Sequence, residues 1–177
     1  FYNLHKKILK KHPNIVCIFA PRHTETCSKM ISLLDAHAHN WTYLPNNELK
    51  PDHDFLIINE VGILGTYFEL SQIAVIGGSF DTIGGHNPIE AIQKNCIVLH
   101  GENIQNFSNI YESLDKLKCS FLTNDADSIV QKIEDFIGQP SKTQDTLKNI
   151  NRIISKKKVL VENEILDILN LEHGKIQ

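Results

Sequence analysis

Six short runs of β-branched and apolar residues recur along this chain, and most are separated by stretches whose apolar residues fall three and four apart. That alternation admits few folds. A strand followed by a helix returns to a parallel neighbour, so the strands build a parallel sheet with helices covering its faces. The predicted strands are 15–19, 41–44, 55–58, 73–76, 96–99 and 120–122, and the polar Trp41 run reads as a sheet edge. The spacing predicts crossover helices over 2–11, 25–38, 65–71, 88–94, 104–117 and 127–137. From Ser141 onward the pattern is helical only and predicts two terminal helices, with Gln139 to Lys142 as a candidate hinge. The expected fold class is therefore α/β, a Rossmann-like parallel sheet flanked by helices.

Composition narrows the function classes. With 177 residues, 41% of them hydrophobic, the chain is long enough to bury the core of one domain. A net charge of -3 lacks the basic excess that a phosphate backbone requires, so nucleic acid is not an expected partner. Cys17, Cys27, Cys96 and Cys119 form no CxxC pair and read as reduced thiols of a cytosolic protein. His37 and His39 are two apart and share no helix face, and the nine histidines show no HExxH or Cys/His cluster, so no metal is expected. The Lys156-Lys157-Lys158 run reads as a solvated helix face. No apolar run approaches the ~20 residues that span a bilayer, and the chain is expected to be soluble. It opens at Phe1 inside an amphipathic segment, the pattern expected of a piece of a longer protein.

In an open parallel sheet, ligands bind beyond the carboxyl ends of the strands. The loop after the fourth strand is the richest: Gly77-Gly78-Ser79-Phe80-Asp81-Thr82-Ile83-Gly84-Gly85-His86-Asn87-Pro88-Ile89-Glu90. Its two glycine pairs permit positive φ and leave room for a phosphate or sugar against the backbone. Asn87 is a natural N-cap and Pro88 suits a first helical position, so a helix is expected to start here with its free amides at the ligand rim. Glu90 stands three residues after Asn87, the spacing of a capping box, and is either such a box or a ligand contact. His86 is either a satisfied turn histidine or a contact. Arg22, in the Ala20-Pro21-Arg22-His23 loop after the first strand, either offers a guanidinium fork to a phosphate or is merely solvated. Neither a Walker A motif nor GxGxxG is present.

The stretch VIGGSFDTIGGHNPIEAIQKNCIVLHGENIQNF resembles the signature region of bacterial 3-deoxy-D-manno-octulosonic acid (Kdo) transferases. The Pro21-Arg22-His23 loop and the run Asn59-Glu60-Val61-Gly62-Ile63-Leu64 resemble two further family segments, so the likeness spans roughly residues 13 to 137. The chain carries Asn59 and Ile63 where many members carry acidic residues.

The resemblance implies the donor-binding half of a two-Rossmann-domain (GT-B) glycosyltransferase, which adds Kdo from CMP-Kdo to a lipid A precursor in lipopolysaccharide core biosynthesis. On it, Pro21, Arg22, His23, Gly78, Ser79 and the amides of Gly84, Gly85, His86 and Asn87 would hold the phosphate and sugar carboxylate. Glu90 would accept from the ribose hydroxyls, Val61, Gly62 and Ile63 would flank the cytosine, and Asn106 with Phe107 would close the pocket. No cofactor is implied. The general base, the acceptor site and the membrane contact would lie in an amino-terminal domain at the cytoplasmic face of the inner membrane, and this half alone would be inactive. Two other readings share the glycine loop: a UDP-sugar enzyme of the 2-epimerase or N-acetylglucosaminyl transferase type, and a non-catalytic nucleotide-binding module.

Overall fold

The computed structural model describes the backbone of residues 2–36, 40–44, 48, 50–60 and 62–173, and side chains within these except at residue 24 and from 157 onward. The expectations for His37, His39, Val61, Lys157 and Lys158 lie outside the described residues or side chains. The apolar runs form β1 (Cys17–Phe19), β2 (Trp41–Leu44), β3 (Phe55–Ile58), β4 (Ile73–Val75), β5 (Ile97–His100) and β6 (Ser120–Leu122). The helices are α1 (Tyr2–Leu9), α2 (Thr24–Ala36), α3 (Leu64–Leu70), α4 (Ile89–Gln93), α5 (Ser108–Lys116), α6 (Ala126–Gly138) and α7 (Pro140–His173).

All strand pairs are parallel, but they form two three-stranded sheets, ordered β1-β3-β2 and β4-β5-β6, rather than the one expected sheet. β1 and β4 are three residues long and, among the described residues, pair with β3 and β5 respectively. Each sheet is built on a middle strand buried along its whole length, Phe55–Ile58 and Ile97–His100. Burial on both faces is what the near-continuous apolar runs demand. The Trp41 strand lies at a sheet edge, as its polarity implied.

Two apolar clusters follow the two sheets, and α1 reaches both. Tyr2 packs with Met30, Leu34, Phe55 and Ile57, while Leu4 and Ile8 pack with Ile97, Val98, Leu99 and Phe136. Lys11 pairs with Glu134 at 2.8 Å and Lys7 with Asp127, both exposed pairs of small energetic weight. The four cysteines are free. Burial pushes the thiols up, to about 12 at Cys17 and about 11 at Cys96, whose Sγ lies 3.1 Å from the Phe68 carbonyl.

Three expectations are corrected. The fifth strand is shifted by one residue, so that His100 completes it and Cys96 precedes it. The stretch predicted as one helix over 104–117 splits into a 3-10 turn at Gln105–Phe107 and then α5. The two terminal helices are one unbroken helix, α7, because no glycine or proline interrupts the sequence after Pro140 up to its end at His173. The hinge candidate is a tight corner: Gln139 alone separates α6 from α7, and the Thr143 hydroxyl donates back to the Phe136 carbonyl at 2.5 Å. Ile150 is fully buried and Leu147 packs beside it, so the first half of α7 covers the β4-β5-β6 core. Among the described residues no helix is long and apolar enough to cross a membrane.

α6 begins with a reciprocal cap. The Asp125 carboxylate accepts from the Ser128 amide at 2.7 Å, and the Ser128 hydroxyl accepts from the Asp125 amide at 3.0 Å. The backbone hydrogen bond from Ser128, above all, holds the Asp125 carboxyl below its ordinary value. Because the folded-state value is depressed, the stabilisation is present above the ordinary carboxylate range and is lost as pH falls through the depressed value. Asp125→Ala is expected to lower the thermal midpoint at pH 7 by roughly 2–5 °C, with the gap to wild type closing in strong acid. Thermal unfolding across pH checks this, and a gap that is constant with pH would contradict it.

Candidate functional site

The site is assembled where the loops after β4 and β5 lock together. After β4 the chain makes a 3-10 turn at Gly77–Ser79, and Ser79 is wholly buried. Its hydroxyl donates to the Ile76 carbonyl at 2.5 Å and accepts the Gly101 amide at 2.8 Å, while its carbonyl accepts the Asn103 amide at 3.0 Å. A Cβ on Gly101 would fall inside the Ser79 carbonyl and against the Phe80 ring, so only glycine lets the two loops approach this closely. The Ser79 side chain is thus committed to holding the loops.

The two glycine pairs do different work. Gly84 and Gly85 have φ of 90° and 86°, as the turn reading required. Gly77 and Gly78 do not, because the chain is a 3-10 turn there. Gly78 is needed for space instead. The His86 ring edge lies 2.8 to 2.9 Å from where a Cβ on Gly78 would stand, and the Gly85 amide donates to the Gly78 carbonyl at 3.0 Å. His86 Nε2 is buried and has no partner among the described residues. Asn106 closes over the turn: its side-chain amide donates to the Ile83 carbonyl at 2.8 Å and its backbone amide to the Gly84 carbonyl at 3.0 Å. Phe107 packs against the core behind it.

The Asn87 side chain accepts from the Ile89 amide at 3.0 Å, and Pro88 precedes α4 with near-helical torsions. The expected N-cap is displaced by one residue: Pro88 holds that place without a side-chain cap, and Asn87, one position before it, bonds the first amide of an α4 that is only five residues long. The capping-box alternative fails at Glu90. Its carboxylate is exposed and takes no hydrogen bond from Asn87 among the described residues. It stands instead over α3, with Oε1 3.3 Å from the point a Cβ on Gly65 would occupy. The start of α3, which follows the loop after β3, thus lies beside the start of α4, which follows the glycine turn. In the loop after β3, Gly62 has φ of 91° with open space where a side chain would project, Ile63 leads into α3, and the Asn59 side-chain amide donates to the Tyr43 hydroxyl at 2.6 Å.

The Pro21-Arg22-His23 loop follows β1 as expected. Arg22 and His23 are exposed and Pro21 half-buried, and no hydrogen bond or ion pair ties them to the glycine turn among the described residues. An exposed guanidinium can take an anion, and the exposed Glu90 carboxylate beside the glycine turn can accept the hydroxyls of a ligand. No group of three or more potential metal ligands is found among the described residues. A surface hollow of about 350 Å³ lined by Val16, Lys50, Pro51, His53 and Leu56 lies at the opposite, amino-terminal ends of β1 and β3.

Gly65 and Gly101 escaped the sequence reading, although a glycine directly after a buried strand, as at 101, is a signal for close backbone approach. Gly101→Ala is expected to destabilise the chain by about 2 kcal/mol or more, since Cβ would collide with backbone that cannot yield. Gly138→Ala, with nothing within 4 Å of the added Cβ, is expected to leave stability equal or raised. Urea unfolding of the pair decides, and equal losses would contradict the clamp.

No family model matches the chain. Among curated proteins it is 27% identical over 172 residues to a bifunctional glycosyltransferase/methyltransferase of Fusobacterium nucleatum subsp. nucleatum, covering 93% of this chain and 27% of that protein. It is 26% identical over 171 residues to a 3-deoxy-D-manno-octulosonic acid transferase of Haemophilus influenzae, covering 93% of this chain and 39% of that protein. A 3-deoxy-D-manno-octulosonic acid transferase of Rickettsia prowazekii is 36% identical over 83 residues, 46% of this chain and 18% of that one. The chain thus spans about a quarter to two-fifths of the first two relatives. The crystal structure of the C-terminal CMP-Kdo binding domain of WaaA from Acinetobacter baumannii matches with a TM-score of 0.78 at 20% identity, over 86% of this chain and 80% of that one. The two share a fold, and the sequence resemblance to Kdo transferases is borne out.

Proposed function

We propose that this chain is the donor-binding domain of a Kdo transferase of the two-Rossmann-domain (GT-B) type. It holds CMP-Kdo while a second domain presents a lipid A precursor at the cytoplasmic face of the inner membrane. The observation that carries the reading is the exposed, uncapped Glu90 carboxylate over Gly65, where the starts of α3 and α4 lie side by side. A carboxylate at that junction can accept both hydroxyls of a ribose cis-diol. Gly62 and Ile63 on one side then flank the base, and the turn of Gly84 to Asn87 on the other faces the phosphate and the sugar carboxylate. The match to Kdo transferases over 93% of the chain supports the same assignment.

The reaction is a displacement at the anomeric carbon of Kdo. The acceptor hydroxyl forms the new C–O bond and gives its proton to a base outside this chain. The bond from the anomeric carbon to the phosphate oxygen breaks, CMP leaves with the electron pair, and the configuration inverts. Arg22 and the turn amides other than that of Gly85, which is spent on the Gly78 carbonyl, lower the barrier by stabilising charge on the departing phosphate, which is where fixed dipoles and cations act most strongly.

Titration of the chain with CMP and with UDP by calorimetry tests the reading. CMP is expected to bind in preference to UDP, with Glu90→Ala and Arg22→Ala each weakening it by about tenfold or more, the weight of a charge-assisted hydrogen bond. A preference for UDP would replace this reading with a UDP-sugar enzyme, and CMP binding untouched by both substitutions would move the site elsewhere.

A further inference from the structure

Beneath the glycine turn lies a polar chain that the resemblance does not account for. Tyr111 of α5 is fully buried, and its hydroxyl donates to the His86 carbonyl at 2.7 Å. Its ring also lies under the preceding glycine, 3.7 Å from where a Cβ on Gly85 would stand. The ring in turn packs against His100 at the end of β5, with centroids 4.5 Å apart. His100 is itself fixed at both nitrogens: Nδ1 lies 2.8 Å from the Gly101 carbonyl, and Nε2 lies 3.1 Å from the Asp115 carboxylate, which also accepts the Ser120 hydroxyl.

We infer that Tyr111 is a positioning residue of the donor site: its hydrogen bond to the His86 carbonyl fixes the turn from which Glu90 projects, without Tyr111 itself touching the ligand. The inference rests on the donor-binding reading given above. Its physical basis is that the other bonds to the turn fall before His86, at Ile83, Gly84 and Gly85, or after it, at Asn87. Gly84 and Gly85 are free to take other torsions, the His86 ring finds no hydrogen-bond partner at Nε2 among the described residues, and α4 is five residues long. Three residues separate His86, whose carbonyl is anchored, from Glu90. A part-buried carbonyl that loses the one donor it has among the described residues turns to water, and the backbone around it shifts to do so. Asn106 holds the turn one step earlier, at Ile83 and Gly84, so loss of the Tyr111 bond frees His86 to Glu90 and not the whole loop.

Tyr111→Phe keeps the ring in the core and removes only the donor. Ser113→Ala on the same helix removes an exposed hydroxyl that bonds Asn109, and serves as the control. In hydrogen–deuterium exchange, the segment 84–92 of Tyr111→Phe is expected to exchange about tenfold faster than wild type, with β5 and α6 unchanged. CMP binding by calorimetry is expected to weaken by about five- to tenfold, while Ser113→Ala matches wild type in both. Loss of protection spread evenly over the chain, or CMP affinity equal to wild type, would overturn the positioning role. Should wild type itself fail to bind CMP, the donor reading falls, and the exchange comparison still decides whether Tyr111 holds the turn. If Tyr111→Phe does not fold, the wild-type protein supplies the test by NMR. A slowly exchanging Tyr111 hydroxyl proton close to the Asn87 backbone supports the bond, and one in fast exchange with water rules it out.

Discussion

One buried hydroxyl sets the geometry on which the rest depends. Ser79 is sealed from solvent, donates to Ile76 in its own loop and accepts from Gly101 in the next, so the ends of β4 and β5 are held at a single spacing. That spacing is possible only because residue 101 has no Cβ. An unpaired hydroxyl or amide there costs about 1–3 kcal/mol, which makes any other arrangement of the two loops unfavourable. The Asn103 bond to Ser79 and the Asn106 bonds to Ile83 and Gly84 follow from the same approach.

With the loops held, the chemistry of the rim follows. The glycine turn is closed from above by Asn106 and supported from below by Tyr111, so its shape does not rely on the intrinsic preference of Gly84 or Gly85. The Asn87 side chain bonds the first amide of α4, and the short helix carries Glu90 out over Gly65 rather than back onto the Asn87 amide. A carboxylate left exposed where α3 and α4 begin is solvated and uncommitted. That is the state a ligand contact needs, and it is the reverse of a structural cap.

Much of this was legible in the sequence, and the limits have physical causes. The apolar runs located all six strands, most plainly the two middle ones, whose burial along their whole length requires apolar residues through Phe55–Ile58 and through 97–99. The separation into two sheets was not legible, since pairing between strands far apart in sequence leaves no local mark on β1 or β4. The single helix α7 was read as two because its apolar stripe is interrupted at the lysine run, although charge alone does not break a helix. In the site, Gly84 and Gly85 were visible as turn residues and Asn87 as a cap one residue too early, while Asn106 came only from the family resemblance. Tyr111 was not, because one tyrosine on an amphipathic helix has the pattern of an ordinary core residue, and its bond to His86 spans 25 positions. Arg22 was found from its place after β1, and the structure leaves it exposed and free to meet an anion.

The central claim is that the loops after β3 and β4 form one donor site. A nitrogen-15-labelled sample of the chain titrated with CMP and followed amide by amide tests it most directly. The account predicts that Gly62 to Gly65 and Gly84 to Glu90 shift together, with one shared dissociation constant, while the amides around Val16, Lys50 and His53 stay still. Shifts confined to the Val16 hollow, or two segments titrating with different constants, would contradict it.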